Sequence, residues 1–176
     1  PKSFAHHLNS SIRGNRVESL YTAFHIIANL VVHHSPDDVH LYIISHRSDA
    51  IDLWAWARWL PHTAAFRGAP PRISFRRETD ESVLDELAQL LRRRDEQNKD
   101  RNSRRGESQP YLVVIFDQAP DLTGHPVISL LLEHEPSRDQ NGLRAAGIFI
   151  DAPLPHQVNV MIAVEGKRLS YRETWM

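Results

Sequence analysis

A continuous apolar run from Tyr111 to Phe116, closed by Asp117, constrains the fold more than any other stretch of the chain. Such a run, with β-branched residues at its centre, is typical of a strand that is covered on both faces in the middle of a parallel sheet. An aspartate at the carboxyl end of that strand lies at the crevice where open α/β sheets bind ligands. Walker-B aspartates hold Mg²⁺ from the same position in nucleotide-binding folds. The run therefore predicts an α/β fold in which Asp117 faces a nucleotide-type crevice.

Composition limits the remaining choices. The 176 residues suit one domain over positions 1–176, with 41% hydrophobic and 24% charged residues. The formal net charge of −1 gives no reason to expect binding to nucleic acid. Cysteine is absent, which excludes a disulfide scaffold, and no apolar run reaches the ~20 residues that a membrane span needs. Because the chain opens without methionine, we expect a domain excised from a larger protein.

Strands and amphipathic helices alternate along the chain, and this order predicts a three-layer sandwich with a mostly parallel central sheet and antiparallel edge strands. Residues 95–109 contain no apolar side chain, and we expect Asp95–Gln109 to be a mobile loop. The predicted strands are Phe4–Leu8, Val39–Ser45, Ile73–Phe75, Tyr111–Asp117, Ala145–Ile150, Val158–Val164 and Arg168–Arg172. The predicted helices are Arg16–His34, Ser48–Leu60, one capped by Thr79 and Asp80, and Pro126–Glu133.

The segment before the first long helix matches the spacing of a P-loop, whose glycines, lysine and hydroxyl residue hold phosphates and Mg²⁺. On this alignment Gly14 keeps the second glycine, and the predicted fold is a P-loop-NTPase-like sandwich. The first glycine is replaced by Asn9, the lysine by Asn15 and the hydroxyl residue by Arg16. After Asp117, Gln118 stands where many such ATPases carry a catalytic glutamate.

These replacements predict negligible hydrolysis, because phosphoryl transfer depends on positioned charge and each lost group costs orders of magnitude in rate. We expect no catalytic residue, no metal site and no cofactor. Mg-ATP at a degenerate site is the alternative, with Arg13 or Arg16 on a phosphate and Asp117 on the metal. A further alternative is that Asp117 merely caps a turn at the end of its strand.

A second marker is the tryptophan-rich segment from Trp54 to His62. On a regular helix Trp56 shares a face with apolar neighbours, which indicates core packing. Trp54 and Arg58 lie towards another side, and we predict that they form an exposed contact patch, since aromatic residues and arginine are enriched at interfaces. The chain has 11 histidines. They lack the spacing of zinc ligands.

The sequence resembles the FtsK/SpoIIIE class of motor ATPases, and more narrowly the degenerate ATPase-like domain of EccC/EssC, the motor of type VII (ESX) secretion systems. The residues that carry the resemblance are His33-His34-Ser35-Pro36-Asp37-Asp38-Val39, Trp54-Ala-Trp56-Ala-Arg58-Trp59-Leu60-Pro61-His62 and Leu169-Ser-Tyr171-Arg172-Glu173-Thr174. In that family the domain follows the transmembrane segment and precedes three ATPase domains.

The resemblance implies a pseudo-ATPase module in the cytoplasm, tethered to the inner face of the plasma membrane by parts of the polypeptide outside this chain. Its partners would be neighbouring ATPase domains and membrane components of the secretion complex, whose activity it would couple or regulate during protein export. Two alternatives remain open at this stage. One is a slow Mg-ATPase that depends on Asp117, and the other is a fragment of an FtsK-like DNA translocase.

Overall fold

A computed structural model describes residues 10–64, 72–75, 77–99, 109–118, 124–132, 143–151, 160–165 and 168–173. Among these residues no helix combines the length and the apolar content that a bilayer crossing requires. The strands are β1 (Ser10–Gly14), β2 (Val39–Ser45), β3 (Ile73–Ser74), β4 (Tyr111–Asp117), β5 (Ala145–Ile150), β6 (Val160–Glu165) and β7 (Arg168–Glu173). The helices are α1 (Arg16–His33), α2 (Ala50–Trp54), α3 (Arg77–Lys99) and α4 (Pro126–Leu132), with 3₁₀ turns at Ala55–Trp59 and Pro61–Thr63.

The strands form one sheet in the order β3-β2-β4-β5-β1-β6-β7. Every pairing from β3 to β6 is parallel, and β7 pairs antiparallel with β6. The two edges therefore differ, since β3 runs parallel to its neighbour and an antiparallel strand lies at the β7 edge alone. Of the predicted antiparallel edge strands, the structure has β7 at one edge of the sheet.

Helices cover the sheet on both faces and give the predicted three-layer arrangement. One core joins α3 and α4 to alternate residues of β2 and β4, such as Tyr42 and Phe116. The other core joins α1 and α2 to the residues between them, such as Ile43 and Ile115. Because both faces are buried, β2 and β4 are apolar at nearly every position and do not alternate with polar residues.

The long apolar and periodic segments were predicted correctly. β2 and β4 have the predicted bounds, and β5 is confirmed at Ala145–Ile150. The helix predicted over Arg16–His34 ends one residue earlier, at His33. The strand predicted at Phe4–Leu8 lies outside the described residues.

Two helices differ from prediction. The segment Ser48–Leu60 is not one helix, because the α-helix ends at Trp54 and continues as a 3₁₀ turn. α3 begins at Arg77, before the predicted cap at Thr79 and Asp80.

The prediction of a mobile loop over Asp95–Gln109 is wrong for its first part, because α3 continues to Lys99. Glu96, Gln97 and Lys99 in this part are good helix formers and need no apolar periodicity to stay helical. The buried Arg94 also holds these turns against the sheet by donating to the carbonyls of Pro110 and Leu143. Residues 100–108 lie outside the described part.

Candidate functional site

The carboxyl ends of the central parallel strands meet in one row across the sheet. Ile12 of β1 is in register with Ile150 of β5, which is in register with Asp117, which in turn is paired with Ser45 of β2. Asp117 thus lies at the centre of the edge where open α/β sheets bind ligands. Its side chain is completely buried.

The segment aligned with a P-loop does not form a loop. Ser10 to Gly14 is strand β1, whose backbone is paired with β5 and β6, and Asn15 alone separates it from α1. The P-loop predicted by the alignment from Asn9 to Arg16 is therefore wrong for residues 10–14. Backbone amides can cradle phosphates only when a loop leaves them unpaired, and strand pairing removes that option here.

Asn15 begins the helix instead of binding phosphate. Its backbone is extended and its Oδ1 accepts a hydrogen bond from the backbone N–H of Val17 at 3.0 Å. This is an ordinary N-cap. Gly14, at φ +153°, is the last strand residue before the cap.

Arg16, the first residue of α1, forms an ion pair with Asp117 through both terminal nitrogens of its guanidinium. Nη1 lies 2.5 Å from Oδ1 and Nη2 lies 2.8 Å from Oδ2, the bidentate geometry that makes arginine–carboxylate pairs strong. Nη1 also lies 3.3 Å from Oδ2 of Asp151, which follows β5. A cation of the chain itself therefore neutralises the carboxylate that would otherwise be available for Mg²⁺.

Two further donors complete the environment of Asp117. Ser45 Oγ donates to its Oδ2 at 3.1 Å, and the indole Nε1 of Trp54 donates to the same oxygen at 2.8 Å. Both carboxylate oxygens are thus engaged by donors. Arg16 therefore lies on both oxygens through which Asp117 could ligate a metal ion.

Gln118 is held by a neighbouring ion pair. Its backbone has φ +46°, and its Oε1 accepts from Arg47 Nη1 at 2.7 Å. Arg47 also donates from Nε to Asp49 Oδ1 at 2.6 Å and from Nη2 to Oδ2 at 3.0 Å. The hydrogen bond from Arg47 lowers the pKa of Asp49 below its ordinary value. Gln118 thus has a structural partner at the position where an ATPase would orient water.

The structure brings Arg16, Asp117 and Gln118 to one edge of the sheet. Arg13 does not join them through its side chain, which is exposed on β1 and makes no ion pair with any described residue. Among the described residues no group of three or more histidines or acids is placed to hold a metal ion.

The predicted contact patch of Trp54 and Arg58 is half wrong. Trp54 is fully buried in the core, where its indole donates to Asp117, whereas Arg58 is exposed. Trp59 is the exposed tryptophan, at 79%, and the Arg58 guanidinium lies 5.3 Å from the centre of its ring. A regular helix would have placed these rings differently, but the chain tightens into a 3₁₀ turn after Trp54 and shifts their angular positions.

Sequence reasoning missed Ser45, Arg47, Trp54 and Asp151 as residues of this edge. Asp151 could have been found, because it follows a buried strand just as Asp117 ends one. Ser45 also carries that strand-end signal, since it is the last residue of β2. No local signal marks Trp54, whose indole meets a carboxylate far along the chain.

The architecture and its row of strand ends define an α/β fold of the P-loop-ATPase type in which the described residues that lead into α1 form a strand and not a phosphate loop. Searches of the sequence match no family model and no curated protein. Solved structures do match, and the fold is that of the ATPase domains of type VII secretion motors.

Three of these structures cover most of this chain at low identity, so they speak for the fold alone. EssC (ATPases 2 and 3) from Geobacillus thermodenitrificans matches 92% of the chain with a TM-score of 0.66 and 15% identity. Thermomonospora curvata EccC (ATPases 2 and 3), in complex with a signal sequence peptide, matches 88% of the chain with a TM-score of 0.61 and 14% identity. The cytoplasmic domain of the same organism's type VII secretion ATPase EccC matches 90% of the chain with a TM-score of 0.60 and 13% identity. The chain spans 32%, 30% and 20% of those three proteins.

Proposed function

We propose that this chain is a non-catalytic ATPase-like module of a type VII secretion motor. In this proposal it docks against neighbouring ATPase domains of the same polypeptide, regulates them, and couples them to the membrane components of the secretion complex. The fold is that of motor ATPase domains. This chain covers only 32% and 30% of the matched EssC and EccC chains, each of which holds two ATPase domains, and this supports neighbouring domains as partners. We place the module at the inner face of the plasma membrane, tethered through other parts of the polypeptide.

One observation carries the non-catalytic part of the proposal. The guanidinium of Arg16 makes a two-point ion pair with Asp117, the residue from which a motor ATPase would hold Mg²⁺. A working site must bind metal and triphosphate there. In this chain the site is closed by an internal cation, and the strand that leads into α1 offers no phosphate loop.

Calorimetric titration of the purified chain with Mg-ATP tests this directly. We expect no Mg-dependent heat of binding and no phosphate release above the level of an Asp117→Asn variant. The variant is the matched control, because it keeps the shape of the side chain while removing the charge that holds a metal. Turnover that depends on Asp117 would establish the slow ATPase instead. A mobility shift with duplex DNA at moderate salt would establish the DNA translocase.

A further inference from the structure

Helix α1 is apolar over more of its circumference than the sheet covers. Leu20, Ala23 and Ile27 are buried against the sheet. Beside them runs a second apolar row at spacings of four, three, four and four residues, which keeps its members on one side of a helix. This outer stripe consists of Val17, Tyr21, Phe24, Ala28 and Val32.

Most of the outer stripe faces solvent. Val17 is 57% exposed, Tyr21 69% and Val32 75%, Ala28 is exposed, and Phe24 is half-buried. From Val17 to Val32 the stripe extends about 22 Å at 1.5 Å per residue. Single exposed apolar side chains are normal on a protein surface, whereas a continuous row is typical of a binding surface.

The tryptophan segment extends the stripe sideways. The Trp56 ring lies 5.5 Å from that of Phe24, edge to face. Trp56 and Trp59 share a 3₁₀ turn with three residues per turn, which places both indoles on one side of that turn. Trp59 is largely exposed, so the surface combines an apolar row on α1 with two indoles beside it.

Arg58 gives this surface a charge. Its guanidinium lies over the Trp59 ring, and it makes no ion pair with any residue that the structure describes. An arginine stacked on an exposed tryptophan is a common centre of binding energy in protein interfaces. The cation calls for a carboxylate on the partner.

We propose that the outer stripe, together with Trp56, Arg58 and Trp59, binds an amphipathic helix that carries carboxylates beside its apolar face. A helix is the partner that fits because the row repeats at helical spacing over about four turns. The acidic flank follows from Arg58. This inference rests on the proposed docking function and names its surface and the chemistry of its partner.

Two synthetic 18-residue helical peptides test the proposal. Both carry leucine at alternating spacings of three and four, and they differ only in having glutamate or lysine beside the leucines. By fluorescence anisotropy with the full chain, we expect the glutamate peptide to bind about fivefold more tightly, as a partly exposed charge pair would allow. Trp59→Ala should weaken its binding by about thirtyfold. Arg58→Glu should reverse the preference between the two peptides.

Asn29→Ala is the matched control, since Asn29 lies on the polar side of the same helix and is exposed. It should leave both affinities unchanged. Equal affinities for the two peptides, or binding that survives Trp59→Ala, would overturn the proposal. So would light scattering that shows a dimer abolished by Tyr21→Ser, because the stripe would then be a contact between copies. None of these results depends on nucleotide binding, so failure here leaves the test of the Asp117 site standing.

Discussion

An arginine lies at each end of the parallel sheet, and the two are stabilised by different means. At the carboxyl end Arg16 is paired with Asp117, and Asp151 lies within reach. At the amino end Arg94 donates to the backbone carbonyls of Leu143, Arg144 and Pro110 at 2.9–3.2 Å. No carboxylate among the described residues pairs with Arg94, and burial lowers its pKa to about 10.

The two arginines therefore answer different demands of the structure. The carbonyls that Arg94 meets at the amino end belong to the backbone. They are present whatever the side chains are, and once buried they need a hydrogen-bond donor. A fully buried aspartate at the carboxyl end is costly unless a cation meets it. Arg94 therefore supports the fold itself, whereas Arg16 meets a buried carboxylate at the edge where open α/β sheets bind ligands.

The largest change in stability is expected when each of the two arginines is replaced in turn by methionine. Arg16→Met leaves Asp117 buried without its cation, and we expect a loss of about 3–5 kcal/mol in the free energy of unfolding. Arg94→Met removes a buried charge and leaves only carbonyls without donors, so the loss should be smaller, about 1–3 kcal/mol. Urea denaturation of both variants measures the difference.

The double variant Arg16→Met with Asp117→Asn serves as the control, because it removes the stranded charge. It should recover most of the stability lost in Arg16→Met. A loss below about 1 kcal/mol in the single variant would mean that the ion pair does not hold this edge together.

The amino end should also make the fold sensitive to acid. Burial, and next the nearby charge of Arg72, lower the pKa of His40 to about 4. Between pH 6.5 and 4 the unfolded chain binds a proton at His40 that the folded chain does not, so stability falls as the pH falls through this window. A shift of this size corresponds to roughly 3 kcal/mol at most.

Denaturation curves of the wild type and of His40→Gln at several pH values isolate this contribution. The variant should lose less stability than the wild type between pH 6.5 and 4, because glutamine does not titrate. Parallel pH profiles for the two proteins would show that His40 takes up its proton without penalty.

The smallest changes in stability are expected when a tryptophan is replaced by phenylalanine, which removes the indole N–H. Trp54→Phe takes a donor from the buried Asp117 and should cost about 1–3 kcal/mol. Trp56→Phe removes a bond to the Leu53 carbonyl at a partly exposed position, and Trp59→Phe changes an exposed ring, so each should cost less than about 1 kcal/mol. Thermal unfolding ranks the three variants, and equal shifts would contradict the assignment of Trp54 to the site.

Local sequence patterns predicted the elements best where burial is uniform. Strand β4 has its predicted bounds because a continuous apolar run with a terminal aspartate fits a central strand and little else. The P-loop alignment failed because spacing alone does not show whether residues pair in a sheet. Residues 10–12 pair with β5 on one side, and residues 10–14 pair with β6 on the other. The predicted helix Ser48–Leu60 failed because helical periodicity alone does not show where the chain changes from α to 3₁₀ winding, here after Trp54.

The sequence by itself determined the layers, since apolar runs and helical periodicity are local records of what each face must bury. It also showed that Asn15 and Arg16 are not the lysine and hydroxyl residue of a phosphate loop. Only the tertiary structure decided that Arg16 fills the site and that Trp59, not Trp54, faces solvent. Both depend on contacts with Asp117, which lies 101 positions from Arg16 and 63 from Trp54, distances over which no sequence periodicity carries information.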